Sequence, residues 1–362
     1  MKHGQNGHAA LRACGSCAKC ERKVWMEQIE KTCIPSVETS SVEKIFPVAK
    51  IFPMHIREAL AKTMWQEGLE EIRVRVGQPV EFYYDTGTRY LTCDGRDADV
   101  CYRASVLDIA EMVNYISNYS LYAYKEELRQ GYITIEGGHR IGLAGSAVTE
   151  RGKMVGLAQI SFLNIRIAHQ KKNCASEILP YIRNGESIHN TLFVSEPGAG
   201  KTTFLRDAIR LLSEGSEGHP GLKVCVVDER SEIAACHLGV PQNDMGPRTD
   251  VLCGCGKSEG MQLLLRAMSP QVLAVDELGE ERDFLAVEQA VFSGSRVLGT
   301  IHAGDVRELR EKPYLRGGLG KEMFGRYIQI VREPGGARGV KVYDAKMEML
   351  CESAVEDCLG KR

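Results

Sequence analysis

The segment 195–203 has the residue types and spacing of a phosphate-binding loop. It reads Ser195-Glu196-Pro197-Gly198-Ala199-Gly200-Lys201-Thr202-Thr203 and directly follows the apolar run 192–194. Glycines let backbone N–H groups point at phosphate oxygens, Lys201 adds a positive charge, and the Thr202 hydroxyl can ligate Mg²⁺. The usual pattern G-x-x-x-x-G-K-[ST] has glycine where this chain has Ser195, which is less free to adopt a positive φ. The segment predicts a site for ATP and Mg²⁺, and a glycine-rich turn that binds nothing is the alternative.

A phosphate loop needs two further groups to hydrolyse a nucleotide: a carboxylate that orients the metal and a group that activates water. Polar residues of these types follow three other apolar runs, as Asp228-Glu229, Asp276-Glu277 and Thr300-Ile301-His302-Ala303. Ligands of an open α/β sheet bind at the carboxyl ends of its strands, so we expect these residues to meet. Asp276 would then orient Mg²⁺ together with Thr202, and Glu277 would polarise the attacking water. Each acidic pair taken singly is equally typical of a solvated strand end.

Strands and helices alternate from about residue 187 onwards. The pattern predicts strands at 191–195, 223–228, 272–276 and 296–301, with helices at 202–213, 257–268 and 283–293. Apolar strands between such helices indicate a parallel sheet that is covered on both faces. We therefore expect an α/β fold, built as a P-loop core.

The residues before this core predict a smaller α+β domain. Helices are expected at 54–67 and 106–129, strands at 71–80 and 165–168, and a glycine-punctuated β meander at 132–145. The expected organisation is a leader at 1–45, an N-terminal domain at 46–175, the P-loop domain at 176–335 and a tail at 336–362. A short strand and a helix are expected in this tail.

Composition narrows the class of protein. The 362 residues carry a formal net charge of −2, which gives no whole-molecule attraction for nucleic acid or for an anionic membrane. No run of about 18 apolar residues is present, so no spanning helix is expected. Residues 1–30 lack the apolar core of a signal peptide. We expect a cytoplasmic protein that reaches a membrane only through a partner protein.

The chain has 13 cysteines, and one group of them is patterned. This group is Cys14, Cys17 and Cys20, flanked by Cys33, His3 and His8. Three thiolates with a fourth ligand can hold zinc, but the second paired CxxC of common zinc sites is missing. We favour a leader, or a translation start at Met26, and expect free thiols in a reducing compartment.

Several segments resemble motifs of the type II/IV secretion ATPases. Asp228-Glu229-Arg230-Ser231-Glu232 resembles their aspartate box, 268–272 with Asp276-Glu277 their Walker B region, and 300–303 the end of their histidine box. The Gly-His that opens the histidine box is Gly294-Ser295 here, so a sensing role falls to His302 alone. Over about residues 46–335, the segments 133–140, 227–234, 239–244 and 248–252 are similar to the stage III sporulation protein AA family.

This resemblance implies a RecA-like core that hydrolyses ATP with Mg²⁺ and assembles as a homo-oligomer, a hexamer in this superfamily. It also implies a place at the mother-cell face of the channel between mother cell and forespore. There the protein would act on sporulation protein AB and its membrane complex. Glu229 is the second candidate for the catalytic base, after Glu277.

A phosphoryl-transfer site gains from an arginine that a neighbouring subunit supplies. Four arginines of the N-terminal domain lie in predicted strands: Arg73, Arg75, Arg140 and Arg166. We expect one of them, with Arg140 as the candidate, to complete the site across subunits of a ring. Ordinary surface charge on a half-exposed strand is the alternative for each of the four.

Two other functional classes stay open. A RecA-like nucleic-acid motor would need a basic stripe or an aromatic stacking platform, whereas the net charge is −2 and the chain has 2 tryptophans. We therefore expect no nucleic-acid partner. A nucleotide-gated scaffold that hydrolyses little is the other class, and the departures at Ser195 and Ser295 favour it.

Overall fold

The computed structural model describes residues 47–62, 68–92, 101–117, 124, 127–128, 131–312, 323–332 and 338–355. The candidate zinc ligands and Met26 lie outside these residues. The chain divides into two compact units between Ala168 and His169. Residues 169–175, which we had assigned to the N-terminal domain, belong to the second unit.

The first unit contains a six-stranded antiparallel sheet in the order β3-β2-β1-β6-β5-β4. Its strands are β1 (Leu69–Arg75), β2 (Glu81–Tyr84), β3 (Gly87–Tyr90), β4 (Tyr132–Thr134), β5 (Arg140–Glu150) and β6 (Lys153–Arg166). Helices α1 (Met54–Lys62) and α2 (Val106–Ile116) contribute to one apolar core with the sheet, in which Ile72 of β1 and Met112 of α2 are fully buried. A capping box fixes the start of α2, because Ser105 and Asp108 each accept a hydrogen bond from the other's backbone N–H.

Strands β5 and β6 continue beyond the sheet as a two-stranded ribbon that the sequence did not predict. Of β5, only residues 140–142 pair with β4, and of β6, only residues 162–166 pair with β1. The two strands nevertheless pair with each other as far as Glu150 and Lys153. The positive φ values of Arg151 (49°) and Gly152 (76°) suit the tight turn that closes this hairpin. Small residues at many ribbon positions hide the alternation by which a strand is recognised.

The second unit is built on an eight-stranded sheet in the order β13-β12-β14-β15-β9-β16-β17-β18. Its strands are β9 (Thr191–Ser195), β12 (Val224–Asp228), β13 (Thr249–Cys253), β14 (Val272–Val275), β15 (Arg296–His302), β16 (Arg326–Arg332), β17 (Arg338–Tyr343) and β18 (Met349–Val355). Pairing is parallel from β13 to β16 and antiparallel from β16 to β18. Two small hairpins complete the strands: β7 (Arg183–Asn184) with β8 (Ser187–Ile188), and β10 (Gly215–Ser216) with β11 (His219–Pro220).

Helices cover both faces of this sheet. They are α3 (Leu179–Ile182), α4 (Lys201–Glu214), α5 (Lys257–Met268) and α6 (Glu281–Phe292), with a 3₁₀ turn at Val306–Glu311. Side chains of β9 alternate between two cores: Phe193 packs in the core that contains α4, and Leu192 and Val194 in the core that contains α5 and α6. The predicted α/β class and the parallel sheet covered on both faces are confirmed.

The sequence analysis missed the strands at the two edges of this sheet. β13 is an edge strand with polar residues in it, and Gln329 interrupts the apolar residues of β16. The segment 336–362 was expected to be a tail with a short strand and a helix. Its described residues instead form β17 and β18, which extend the sheet beyond β16.

Candidate active site

The strands β12, β14, β15 and β9 are neighbours and end at the same edge of the sheet. Their register aligns these ends, because Val275 lies opposite both Val227 and Gly299, and His302 lies opposite Ser195. The polar residues that end or follow these strands therefore meet. This edge of the second unit is the candidate site.

The phosphate loop leads from β9 into α4. Gly198 (φ 72°) and Gly200 (φ 114°) have backbone conformations that favour glycine. The N-terminus of α4 has no side-chain cap, which leaves the backbone N–H groups of its first turn for an anion. Ser195 is the last residue of β9, so this position lies in a strand and has no need of glycine. Within the loop Glu196 and Pro197 are exposed.

Lys201 occupies the loop and is only 5% exposed. Its Nζ donates hydrogen bonds to the carbonyl oxygens of Ser195 (3.0 Å) and Glu196 (3.1 Å), and lies 2.9 Å from Nδ1 of His302. Burial lowers the pKa of Lys201, and the negative charges of Asp276 and Glu277 oppose this shift without cancelling it. Hydrogen bonds to neutral carbonyl oxygens are weaker than those to a phosphate, so the ammonium group can exchange these carbonyl oxygens for phosphate oxygens.

Two hydroxyl groups fix the Asp276 carboxylate. Thr202, which like Thr203 is half-buried in the first turn of α4, donates to Oδ2 at 2.9 Å. Thr300 donates to Oδ1, and its Oγ1 in turn accepts the backbone N–H of Glu277 at 2.8 Å. Thr300 is fully buried. Thr300 therefore links β15 to the two acids that directly follow β14, Asp276 and Glu277.

Glu277 lies in a left-handed backbone conformation (φ 52°), which is uncommon for residues other than glycine. Its Oε1 lies 2.8 Å from Nε2 of His302, and its Oε2 accepts a hydrogen bond from Nη1 of Arg230 at 3.1 Å. Burial by itself would raise the pKa of Glu277, but the hydrogen bond from His302 and the charges of His302, Arg230 and Lys201 hold this pKa below its ordinary value. The side chain is thus a carboxylate at neutral pH.

The contacts of His302 define its tautomer. The protonated Lys201 can only donate, so Nδ1 of His302 must accept, and Nε2–H then donates to Glu277. This assignment follows from the hydrogen-bond partners, as it must where protons are inferred. A continuous chain of polar contacts therefore runs from Lys201 through His302 to Glu277.

Asp228 has a structural role in the aspartate box. Its carboxylate accepts backbone N–H bonds from Glu232 (2.8 Å), Ile233 (3.2 Å) and Ala234 (2.8 Å), and its side chain is 1% exposed. Burial raises the pKa of Asp228, although the backbone donors act in the opposite direction. Asp228 thus fixes the turn that carries Glu229 and Arg230.

Glu229 lines a shallow open cleft together with Asp276 and Glu277. Its carboxylate lies 3.2 Å from Nζ of Lys257, the first residue of α5. Five carboxylates and two cations line this cleft. Glu229 therefore lies near the site, but it pairs with Lys257, whereas Glu277 pairs with Arg230.

Three basic residues of the site were missed by sequence reasoning. Lys257 contacts Glu229, Arg332 contacts the Gly198 carbonyl, and Arg338 contacts the Ala199 carbonyl. Lys257 is the first residue of the helix predicted at 257–268, and a cation at this position is the signal that could have identified it. The two arginines belong to strands that the sequence analysis did not assign to the core, and no signal in the sequence linked them to the loop.

The four candidate arginines of the first unit have different surroundings. Arg73 pairs with Glu71, and Arg75 donates to Glu81 at 2.6 Å. Arg140 lies directly opposite Arg166 across β5 and β6. The guanidinium of Arg140 stacks over the ring of Tyr132, 4.7 Å from its centre. Carboxylates of the same sheet thus engage Arg73 and Arg75, whereas Arg140 lies beside a second cation.

Comparison with known proteins identifies the family. The model of the family "Sporulation stage III, protein AA" matches residues 42–350. The chain is 38% identical to stage III sporulation protein AA of Bacillus subtilis, over 86% of this chain and 99% of that protein. This chain belongs to the stage III sporulation protein AA family. The match also extends into the residues of β16 to β18.

Solved structures confirm the secretion-ATPase fold. The Legionella pneumophila ATPase DotB superposes with a TM-score of 0.51 at 16% identity, covering 81% of this chain and 80% of that one. The pilus retraction motor PilT, solved with bound ADP, gives a TM-score of 0.54 at 14% identity, covering 82% and 81%. Identities this low establish the fold alone, which is the RecA-like architecture preceded by a smaller α+β domain.

Proposed function

We propose that this protein is a Mg²⁺-dependent ATPase of the secretion type that works at the channel between mother cell and forespore during endospore formation. The observation that carries the proposal is the hydrogen-bonded set at the end of β9, β14 and β15. It combines a phosphate loop with its lysine, a carboxylate fixed by two hydroxyls, and a second carboxylate held by a histidine. ADP bound to PilT, which has the same fold, supports a nucleotide as the ligand.

The residues at the start of α4 and the end of β14 suit a magnesium ion. The Thr202 hydroxyl and the Asp276 carboxylate lie 2.9 Å apart, and both are hard oxygen ligands of the kind that Mg²⁺ prefers. Thr202 would hold the ion directly and Asp276 through water. The ion, when bound, neutralises the negative charge that develops on the phosphates.

Lys201 and Glu277 perform the central steps of the proposed reaction. Lys201 exchanges the carbonyl oxygens of Ser195 and Glu196 for phosphate oxygens, and thereby also leaves Nδ1 of His302. Glu277 accepts the proton of the attacking water, as its ionised state allows. Because Nδ1 of His302 loses its donor when Lys201 moves, His302 is placed to transmit phosphate binding to Glu277. Glu229 is the alternative base.

The proposed site is completed by an arginine from a neighbouring subunit, with Arg140 as the candidate. A homo-oligomer follows from this sharing, since a ring gives every subunit a neighbour, and the hexamer is the ring that the superfamily implies. ATP bound only by the assembled form would favour assembly by mass action. Arg73 and Arg75 pair with carboxylates of their own sheet, which makes these two the weaker candidates.

Attachment to the membrane is proposed to come from a protein partner. No helix within the described part of the chain has both the length and the apolarity to cross a bilayer. The formal net charge of −2 gives no general attraction to anionic lipid. Sporulation protein AB and its membrane complex are the proposed partner, on the mother-cell side, as the family implies.

The test measures phosphate release from ATP against concentration of the full chain, with particle mass by light scattering in parallel. We expect the rate per subunit to rise with concentration as oligomers appear, and Lys201→Ala to show no rate at any concentration. Bound ATP without phosphate release throughout the series would instead identify the nucleotide-gated scaffold. A rate per subunit that is independent of concentration would contradict the shared site.

A second experiment tests the mode of attachment. Glu277→Gln protein is sedimented with ATP and Mg²⁺, with and without liposomes that contain no protein. We expect oligomers that stay in the supernatant with the bare liposomes. Tight binding to these liposomes would refute attachment through a partner, and a strict monomer at high concentration would refute the ring.

A further inference from the structure

Two arginines meet at the end of the β16–β17 hairpin, beside the phosphate loop. Arg332 is the last residue of β16 and Arg338 the first of β17, and they are direct cross-strand neighbours. Like charges in this arrangement repel each other and destabilise a hairpin. Arg338 is moreover only 8% exposed, which makes its charge more costly. A pair of this kind requires a compensating interaction.

The phosphate loop supplies part of this compensation. Nη2 of Arg332 donates to the carbonyl oxygen of Gly198 at 2.8 Å, and Nε of Arg338 donates to the carbonyl oxygen of Ala199 at 2.9 Å. The two acceptors belong to consecutive peptide groups. Gly198 also lies close to Arg332, since a Cβ built on this glycine would stand 3.4 Å from Nη2. The hairpin end thus holds two successive peptides of the loop from one side.

Holding these carbonyls also sets the direction of two N–H groups. A peptide group is planar and trans, so its N–H points away from its carbonyl oxygen. The N–H groups of Ala199 and Gly200 are therefore directed away from the arginines. The N–H of Ala199 indeed points across the inside of the loop, towards the carbonyl oxygen of Glu196 at 3.4 Å. The inside of the loop is where phosphate oxygens accept such bonds.

We infer that Arg332 and Arg338 are positioning residues for the nucleotide, which orient the phosphate loop through its carbonyls and add positive charge behind it. This inference rests on the proposed function and extends it to the β16–β17 hairpin. A di- or triphosphate in the loop places negative charge next to the arginine pair and thereby relieves their repulsion. The hairpin and the nucleotide are consequently coupled: each binds the loop better when the other is in place.

The test compares Arg332→Gln with the unmodified full chain. ADP affinity is measured by calorimetry, kcat and KM for ATP by phosphate release, and the unfolding temperature without nucleotide. We expect Arg332→Gln to weaken ADP binding on the order of tenfold, the size expected for a lost bond to a charged group. KM should rise with kcat nearly unchanged, because a bond present in both ground and transition state contributes uniform binding. Arg332→Lys, which keeps a charged donor, should restore most of the affinity.

Lys341→Gln is the matched control, since Lys341 is a cation of β17 that pairs with Glu352. This variant should bind ADP like the unmodified protein. Arg338→Gln removes the buried arginine, and the unfolding temperature of this variant shows whether it still folds. If it does not fold, Arg332→Gln still decides the test, because Arg332 is exposed. Unchanged ADP affinity in Arg332→Gln would overturn the inference, and so would an equal loss in Lys341→Gln. Absence of ADP binding by the unmodified chain would instead overturn the proposed function.

Discussion

The two units of this protein differ in how the polar and charged side chains of their sheets are buried and partnered. In the second unit Lys201, Asp228 and Thr300 are buried at one edge of a parallel sheet, and each has its own hydrogen-bond partners. In the first unit the arginines of the antiparallel sheet are partly exposed, and two of them pair with acids of the same sheet, as Arg75 does with Glu81. Buried charges are costly unless they are fully partnered. This difference supports the proposal that nucleotide chemistry takes place in the second unit.

The largest expected effect comes from Lys201→Ala, in the second unit. Removing the only lysine of the loop leaves the phosphates without their charge partner, so ATP binding should be lost within the range of a calorimetric titration. Lys341→Ala is the control and should bind ATP normally, since this lysine of β17 pairs with Glu352. Equal ATP affinity in Lys201→Ala and in the unmodified chain would remove the phosphate loop from the account.

A substitution in the first unit tests whether that unit completes the site. Arg140→Ala should lower kcat by about 10³-fold while ATP still binds, because a trans arginine stabilises the transition state. Mixing Arg140→Ala subunits with Lys201→Ala subunits should restore part of the activity, since some mixed interfaces combine an intact loop with an intact arginine. Arg75→Ala mixed in the same way is the control and should be active alone.

Activity that does not recover in the mixture of Arg140→Ala and Lys201→Ala subunits would change the role of the first unit in this comparison. It would mean that Arg140 is not the arginine shared between subunits. The same mixture with Arg166→Ala, at the cross-strand neighbour of Arg140, would test the next candidate, and no recovery in any such mixture would indicate a self-contained site.

A buried threonine offers a smaller effect within the second unit. Thr300→Val keeps the shape of the side chain but leaves the Asp276 carboxylate and the Glu277 N–H without their hydroxyl partner. We expect kcat to fall on the order of tenfold to a hundredfold through misplacement of both acids. The free energy of unfolding should fall by about 1–3 kcal/mol, because a buried acceptor and donor lose their bond. Thr300→Ser, which keeps the hydroxyl, should retain most activity; an equal loss there would assign the effect to packing.

Much of the second unit could be predicted from the sequence, because its helices, apolar strands and loop motif are patterns of neighbouring residues. The helix at 257–268 was predicted with its observed bounds, and the loop and the acidic strand ends are defined by residue type and spacing. The edge strand β13 and the strands β16 to β18 were missed because polar residues interrupt their apolar runs, as Gln329 does in β16. The contacts of Arg332 and Arg338 with the loop join residues 134 and 139 positions apart, which no local pattern encodes.

The smallest expected effect concerns the charge around Glu277. The histidine bond and the cations near Glu277 keep its pKa below its ordinary value, against the effect of burial. Arg230→Gln removes one of these cations, so the pKa of Glu277 should rise and the acid limb of the kcat profile should move to higher pH. The shift should be small, and smaller still at high salt, because Arg230 is exposed. Arg282→Gln, at an exposed pair with Glu280, is the control. A profile that moves to lower pH would contradict the sign.

The most direct test of the account measures ATP binding and phosphate release side by side in Glu277→Gln and in the unmodified chain. Both are assayed with saturating ATP and Mg²⁺ at a protein concentration at which the unmodified chain is oligomeric. The account predicts that the unmodified chain releases phosphate, whereas Glu277→Gln binds ATP as well or better and releases almost none, since the amide cannot accept a proton. Hydrolysis by Glu277→Gln at the unmodified rate would contradict the assignment of the base and pass that role to Glu229.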